Sequence, residues 1–277
     1  MAATATLRQL GGKPSVAGYL RSIWGRRHFA IAIAVSEVRS QHANTALGSL
    51  WLVLNPMLQV AIYYLIFGLL LNVTRGVTNL IGFLAVGVFM YHYSSRSIIG
   101  GAKSVLKNQG LIRSLQFPRA ILPLSTVLAH GLTFLYAACV MLVVALVTDE
   151  QPHPVWLLLI PLLLVQTLFN IGAGMILARP VDRMPDMQNV LPFVFRIIFY
   201  FSGVLFPAER YISRGPDWMA LAFDYNPFYA IMTVGRSLVL DNRVEARLLA
   251  VAAVWALVLA VMGFFVFRAG EREYGRG

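Results

Sequence analysis

The carboxylate side chains that could do acid–base or cation chemistry lie outside the six longest apolar runs of this chain. Its twelve acidic residues are Glu37, Asp149, Glu150, Asp182, Asp186, Glu209, Asp217, Asp224, Asp241, Glu245, Glu271 and Glu273. A carrier driven by protons or sodium ions usually needs a carboxylate at membrane depth, where it titrates or binds the cation. The distribution therefore disfavours an ion-coupled carrier. It also disfavours enzymes that hold a metal and phosphates with clustered carboxylates.

Other catalytic arrangements are equally hard to build from this sequence. His92 and His130 lie in or near apolar runs without an acidic partner, which favours packing or pore-lining roles over catalysis. Gly12 and Lys13 do not form a phosphate loop, because the earlier glycine is missing and Pro14 follows. No spacing typical of metal ligands occurs. The sequence thus predicts no catalytic residue, no metal ligand and no cofactor bound by this chain.

Four charged residues near the apolar runs each allow two interpretations. Arg196 lies within the fifth run, where burying a guanidinium costs at least ~2.5 kcal/mol. It either lines a wet passage and meets a phosphate, or extends to the membrane interface. For Arg96 the interface or a pairing role is favoured. Asp182 and Asp186 stand among arginines, and a structural salt-bridged turn is favoured over a catalytic pair.

Aromatic residues are frequent, at 12% of the chain, and several of them cluster. Packing between helices and interfacial belts explain any single ring. Together they allow a more specific hypothesis, because the apolar C–H faces of sugars stack on aromatic rings without hydrogen bonds that would stop sliding. With Arg196, the candidate residues of such a passage are Tyr63, Tyr64, Phe67, Tyr91, Phe195, Phe199 and Tyr200.

Composition assigns these residues to a membrane protein. The 277 residues are 58% hydrophobic and 13% charged, and the mean hydropathy is +0.69. Six runs are long enough to cross a bilayer as helices: 51–72, 80–100, 120–147, 155–178, 189–206 and 247–267. The sequence predicts an all-α integral membrane domain over 29–277, with an amphipathic interface helix at 29–46, after a loose cytoplasmic tail at 1–28. Two short re-entrant helices are expected between the fifth and sixth spans.

The net charge of +11 follows from orientation and does not indicate a nucleic-acid partner. When the six runs are taken as membrane spans, Lys and Arg concentrate in the segments on one side of the membrane. An even number of spans then places both termini in the cytoplasm. The predicted outer segments hold fewer basic residues: Arg75, Arg210, Arg214, Arg236, Arg243 and Arg247.

The basic stretch at residues 101–123 contains no acidic residue and is predicted to be a loop on the cytoplasmic side. Its pattern predicts a short helix from Lys103 to Lys107, a glycine break, an amphipathic turn and a Pro-Arg pair before the next span. Because the chain lacks a nucleotide site, we expect this loop to receive mechanical work from a partner.

Several motifs resemble the membrane permeases of bacterial polysaccharide, O-antigen and teichoic-acid exporters, which belong to the ABC-2 type. They are the residues 47–51 (LGSLW) with Asn55 and Pro56, the stretch 108–113 followed by 117–123, and Asn226 with Pro227 and Phe228. The resemblance runs from about residue 37 to residue 267. Departures occur at His42 and Ala43, and between Arg179 and Asp182, and they concern the substrate more than the fold.

The resemblance implies a six-span permease subunit that forms a homodimer in the bacterial inner membrane and docks on two ATPase subunits. ATP and Mg²⁺ then belong to the partner subunit, and this chain is not an enzyme. The cargo implied is a polysaccharide on a polyprenyl diphosphate carrier, and membrane lipids surround the dimer. The residues expected to couple to the ATPase are Lys103, Lys107, Asn108, Leu111, Ile112 and Arg113.

Two other functions stay open from the sequence. One is a membrane glycosyl- or phosphotransferase acting on lipid-linked sugars, for which Asp182 and Asp186 are the plausible carboxylates. The other is an exporter of drugs or small lipids in the same transporter class.

Overall fold

The computed structural model describes residues 15–41, 45–70, 77–208, 215–271 and 273–274. Within them the regular structure is helical, and the α-helices are α1 (Val16–Gly25), α2 (Arg27–Gln41), α3 (Trp51–Tyr63), α4 (Leu80–Lys107), α5 (Gln109–Ser114), α6 (Ile121–Val147), α7 (Leu159–Arg183), α8 (Met187–Phe201), α9 (Asp217–Asp224), α10 (Pro227–Val239) and α11 (Ala246–Gly270). Short 3₁₀ turns precede α3 and α7, at Gly48–Leu50 and Pro154–Leu158. A π-helical segment, Tyr64–Leu70, continues α3.

The N-terminal region is more ordered than its composition indicates. The first half of the predicted loose tail lies outside the described residues, but α1 occupies most of the rest, and the Ser15 hydroxyl caps it by accepting from the Gly18 N–H at 3.1 Å. The predicted interface helix corresponds to α2, which packs along α6 and buries Ala30 and Ala34. Small side chains on this face let the two helices approach closely.

Helix α4 is the centre of the bundle and contacts α6, α7, α8 and α10. Most of its residues from Leu80 to Val105 are buried, and neighbouring helices supply partners for some of its polar groups. The buried Gln166 amide of α7, for example, donates to the Met90 carbonyl at 2.8 Å and to the Ser94 hydroxyl at 2.9 Å. Such bonds explain how a helix rich in serine can occupy the core.

Helix α4 extends beyond the second predicted span. The prediction of a separate short helix from Lys103 to Lys107 is wrong, because α4 continues without interruption to Lys107. Gly101 lies against Gly174 of α7, where an added Cβ would be 3.3 Å from the Gly174 Cα, which is tighter than ordinary van der Waals contact. Glycine therefore serves close helix packing here.

Four helical segments of the described residues are both long and apolar enough to cross a membrane: Gly48–Leu70, Ile121–Val147, Pro154–Arg183 and Ala246–Gly270. They correspond to the first, third, fourth and sixth predicted spans. The second, α4, is long but carries polar residues that the bundle buries. The fifth, α8, has 15 residues and covers about 22 Å of a ~30 Å core. The six-span count and the side on which the termini lie remain predictions.

The outer region between the fifth and sixth predicted spans holds two short helices, α9 and α10, as the Pro and Asn pattern predicts. Asn226 caps α10, because its Oδ1 accepts from the Phe228 N–H at 2.9 Å and the Tyr229 N–H at 3.3 Å. Its amide also donates to the Ser202 hydroxyl at 3.1 Å. Residues 209–214 lie outside the described part, and the depth of α9 and α10 in a membrane remains a prediction.

Arg236 attaches α10 to the rest of the bundle. Only 7% of this residue is exposed, and its guanidinium donates to the carbonyls of Phe83, Gly203 and Val204 at 3.3, 3.0 and 2.7 Å. The guanidinium carbon also lies 3.5 Å from the centre of the Phe83 ring. The sequence placed Arg236 only among the charges of the outer segments, whereas in the structure it is a buried structural residue.

The closest crossing in the bundle joins α7 to α11 at Gly172 and Gly263. A Cβ at Gly172 would lie 2.3 Å from the Leu259 carbonyl carbon, and one at Gly263 would lie 2.3 Å from the Gly172 oxygen. Backbone atoms cannot move aside as a side chain does. The two helices can therefore touch only if both positions lack a side chain.

We predict that Gly172→Ala destabilises the folded protein by roughly 1–3 kcal/mol, because the methyl group would push α7 and α11 apart. The matched control is Gly174→Ala in the same helix, where the added Cβ meets Gly101 Cα at 3.4 Å, an ordinary contact. Thermal unfolding of the two purified variants in detergent measures the difference. Equal melting temperatures for both variants would contradict this description of the crossing.

Candidate functional site

Helix α8 lies on α4 through one aromatic face. Leu191, Phe195 and Phe199 recur every four residues, and each is at most 6% exposed. The Tyr91 hydroxyl of α4 donates to the Phe195 carbonyl, which fixes the two helices relative to each other. The opposite face of α8 is open in the single protomer, where Phe193 and Phe201 are exposed.

A cavity of about 250 Å³ opens between α3, α4 and α8. Most of the predicted passage residues line it, namely Tyr63, Tyr91, Phe195, Arg196, Phe199 and Tyr200, together with His92, Ser95, Ile99 and Pro192. No carboxylate is among these lining residues. The structure thus brings together side chains from three separate segments of the sequence. Their role in transport remains a prediction.

Phe199 is at the centre of the aromatic wall. Its ring centroid lies 5.1 Å from that of Tyr91, 5.4 Å from that of Tyr200 and 6.1 Å from that of Tyr63. The His92 ring stacks on it at 5.9 Å, with an interplanar angle of 25°. The edge-to-face and tilted contacts are those that aromatic quadrupoles favour, so the wall is a packed surface.

Tyr64 and Phe67 do not line this cavity. Both belong to the π-helical segment after α3 and pack, half-buried, against the main core. The Tyr64 ring lies against Gly68, where an added Cβ would meet its carbons at 2.8 Å. For these two residues the structure supports the packing interpretation.

Arg196 is exposed on the cavity wall, with its guanidinium carbon 5.8 Å from the centre of the Phe193 ring. No group of three or more acidic, histidine or cysteine side chains in the described residues could hold a metal ion. The wall is therefore aromatic with one permanent cation. Such a surface can hold a neutral sugar by stacking and an anion by charge, but it offers no acid or base pair for catalysis.

The predicted coupling residues lie together where α4 ends and α5 begins. Asn108 joins the two helices and donates to the Ser104 carbonyl at 2.8 Å. Lys107 is exposed and pairs with Glu37 of α2 at 2.5 Å, while Lys103 is half-buried one turn earlier. On α5, Arg113 is exposed and Leu111 is half-buried. Ile112 packs inward against a cluster that contains Tyr19, Val105, Ala120, Met175, Ala178, Phe267 and Tyr274.

The segment after α5 is fixed to both ends of the described chain. The Arg119 backbone N–H donates to the Glu271 carboxylate at 2.9 Å, and its guanidinium donates to the carbonyls of Glu271 and Tyr274. The Tyr19 hydroxyl donates to the same carboxylate at 2.7 Å. Burial and the nearby Glu271 charge raise the pKa of Tyr19, so the tyrosine remains a donor. We call Tyr19, Arg119 and Glu271 the terminal clamp.

The terminal clamp and the Lys107–Glu37 pair were not found from the sequence. Arg119 and Glu271 are 152 residues apart, and no local pattern connects them. The sequence holds only a weak indication of the contact between Arg119 and Glu271. Arg119 belongs to the Pro-Arg pair before α6, and Glu271 directly follows the last apolar run. The segment before α6 also contacts α2, where the centroids of the Phe29 and Phe117 rings lie 5.5 Å apart.

Asp182 and Asp186 are not part of the aromatic cavity. Asp182 is half-buried near the end of α7 and Asp186 is exposed before α8. The sequence favours a turn in which Asp182 and Asp186 form salt bridges with neighbouring arginines. In the structure, Arg183 instead pairs with Glu273 at 2.8 Å. The pairing thus fastens the turn to the end of the chain.

Comparison with known proteins agrees with this arrangement. The family model described as ABC-2 type transporter matches residues 30–240. An O-antigen export system permease protein RfbA of Klebsiella pneumoniae is 26% identical over 86% of this chain and 90% of its own length. The protein of that name from Myxococcus xanthus is 25% identical over 92% and 97%. A polysialic acid transport protein KpsM of Escherichia coli is 25% identical over 87% and 92%.

The match covers most of the chain, including α2 to α10, the aromatic cavity and the coupling residues. Together with the long apolar helices, it makes this a multi-pass membrane protein of a family of transport subunits. The chain belongs to the ABC-2 type transporter family.

Proposed function

We propose that this chain is the permease subunit of an exporter that moves a polysaccharide on a polyprenyl diphosphate carrier across the bacterial inner membrane. The observation that carries the proposal is the cavity between α3, α4 and α8, whose wall is aromatic, includes Arg196 and has no carboxylate. The names of the relatives, O-antigen export and polysialic acid transport, support a glycan cargo.

The cavity chemistry suits a long glycan that must keep moving. Stacking of sugar faces on Tyr and Phe is worth little per ring and depends weakly on the sugar, so the chain can slide from one ring to the next. Arg196 supplies a bidentate donor for the diphosphate of the carrier. Its exposure on the wall leaves its donors available to a ligand.

A symmetric homodimer supplies the second half of the passage in this proposal. Large apolar side chains are exposed on α3 and α8 of the single protomer, including Leu58, Ile62, Ile197 and Phe201. A second copy related by a two-fold axis would bury such a face against itself and enclose the aromatic walls between the protomers. The first and fifth predicted spans would part to admit the carrier.

The energy comes from two copies of an ATPase subunit that hold ATP and Mg²⁺. α5 is the docking element in this proposal, because Arg113 is exposed on it and Ile112 anchors it to the bundle. Movement of α5 would reach α2 through Lys107 and Glu37, and α11 through the terminal clamp. The purified chain alone should then hydrolyse no ATP.

We predict that Arg113→Glu lowers export at least tenfold, because it reverses the charge on the docking helix. Gln116→Glu is the matched control, since it adds a negative charge three residues away on an exposed side chain outside α5. Polysaccharide at the cell surface and pull-down of the ATPase subunit give the readouts. Normal export and normal ATPase binding by Arg113→Glu would rule out α5 as the docking element.

A second prediction tests the aromatic wall. Tyr200→Ala should slow export about twofold to twelvefold, which corresponds to the loss of one stacking contact of about 0.5–1.5 kcal/mol. Tyr136→Ala removes an exposed tyrosine of α6 that neither lines the cavity nor belongs to the proposed dimer face, and it should leave export near the wild-type rate. The measurement is glycan transport into proteoliposomes at equal protein amounts. The reverse order of the two variants would place the passage elsewhere.

The transferase alternative is tested at Asp182 and Asp186. Replacing both with Asn should leave glycan synthesis unchanged and affect at most assembly of the transporter, because neither carboxylate faces the cavity. Radiolabelled sugar incorporation into lipid-linked glycan is the readout. Abolished incorporation in this double variant would favour the transferase and refute the permease assignment.

A further inference from the structure

A second cavity, of about 170 Å³, lies on the face of α4 that is turned toward α6. It is bounded by α3, α4, α6 and the end of α2. We call it the polar cavity because of its lining side chains, which include Gln41, Asn55, Gln59, His92, Arg96, His130 and Thr133. His92 lines both this cavity and the aromatic passage.

Arg96 is the only charged side chain among the residues that line the polar cavity. It is exposed in the single protomer, and the salt bridges of the described residues do not include it. The buried Nε2 of His92 has no hydrogen-bond partner in the described part of the chain. No Asp or Glu is among the lining residues. Glu37, one turn before Gln41 on α2, is already paired with Lys107 at 2.5 Å. A guanidinium is always charged, so the cavity calls for an anion.

An apolar groove of about 520 Å³ adjoins the polar cavity between α2, α6 and α7. Tyr93 and Phe134 line both spaces, and the centroids of their stacked rings lie 4.7 Å apart. The other walls are almost wholly aliphatic and include Ile31, Leu128, Leu132, Leu135, Ile160 and Leu164. Leu164 is 67% exposed, so the groove opens on the outer surface of the bundle.

We propose that the polar cavity and the apolar groove together bind one anionic membrane phospholipid. The phosphate lies against Arg96, and an acyl chain follows the groove past Tyr93 and Phe134. The arrangement complements an amphiphile in both respects, because a permanent cation faces the head and a hydrocarbon surface faces the tail. Neither space alone would explain the position of the other.

The position of the groove favours a resident phospholipid over the glycan carrier. The groove is built from α2, α6 and α7, whereas the aromatic passage is built from α3, α4 and α8. A carrier bound in the groove would have its polyprenyl tail between α2, α6 and α7, away from the wall that α3 and α8 form. Phospholipid surrounds the outer surface of the bundle and needs no route through it.

The experiment measures lipid binding to the purified full chain in detergent, by native mass spectrometry and by thermal unfolding. Added phosphatidylglycerol should bind and raise the melting temperature more than phosphatidylcholine. Arg96→Gln should weaken phosphatidylglycerol binding about tenfold, as expected for the loss of a charged hydrogen bond. Arg96→Lys should retain most of the binding, and Arg196→Gln, in the other cavity, should retain all of it.

The tail half of the site has its own pair of variants. Leu164→Trp fills the groove and should reduce phosphatidylglycerol binding, while Leu157→Trp alters a residue of similar exposure outside the groove and should not. These variants keep the test decisive if Arg96→Gln fails to fold.

Three results would overturn the proposal. They are unchanged binding by Arg96→Gln, equal binding of the two phospholipids, and displacement of phosphatidylglycerol by equimolar undecaprenyl phosphate, which would assign the site to the carrier. Because the readout is lipid binding to the isolated chain, a negative result leaves the export proposal untouched. A failure of export in the earlier tests likewise leaves this site untouched.

Discussion

The burial of α4 is the constraint on which the rest of the structure depends. This helix carries buried serines and tyrosines, and lipid would leave their polar groups unsatisfied. The surrounding helices shield it and supply partners such as Gln166. Because polar groups are kept in the middle of the bundle, two cavities with different chemistry can form on two faces of one helix.

The end of the bundle that carries α5 is connected by specific polar contacts, while its middle is held by packing. Glu37, Arg119 and Glu271 tie α2, the segment before α6 and the end of α11 to the region around α5. The salt bridge between Arg183 and Glu273 adds a further connection. A displacement applied at α5 is therefore shared among several helices, whereas a single flexible loop would absorb it.

Much of this architecture follows from hydropathy alone, because apolar runs of the right length determine helices. The helical class was accessible in this way, and the family resemblance came from local motifs such as those at 47–51 and 108–113. The continuation of α4 to Lys107 was not predicted, because the basic residues of this stretch indicate a loop, whereas the contact of Gly101 with Gly174 packs this part of the helix against α7. Arg236 and the terminal clamp depend on contacts between distant segments, which a single sequence does not encode in any local pattern.

The glycine crossing between α7 and α11 also limits how this protein can change shape. Helices in direct backbone contact cannot slide past each other without first separating, so α7, α11 and the enclosed α4 form one rigid body. α3 and α8 have much smaller contacts with that body. In the proposed exporter, α3 and α8 would be the helices that move against this rigid body, and a movement of α8 would have to break the Tyr91–Phe195 hydrogen bond.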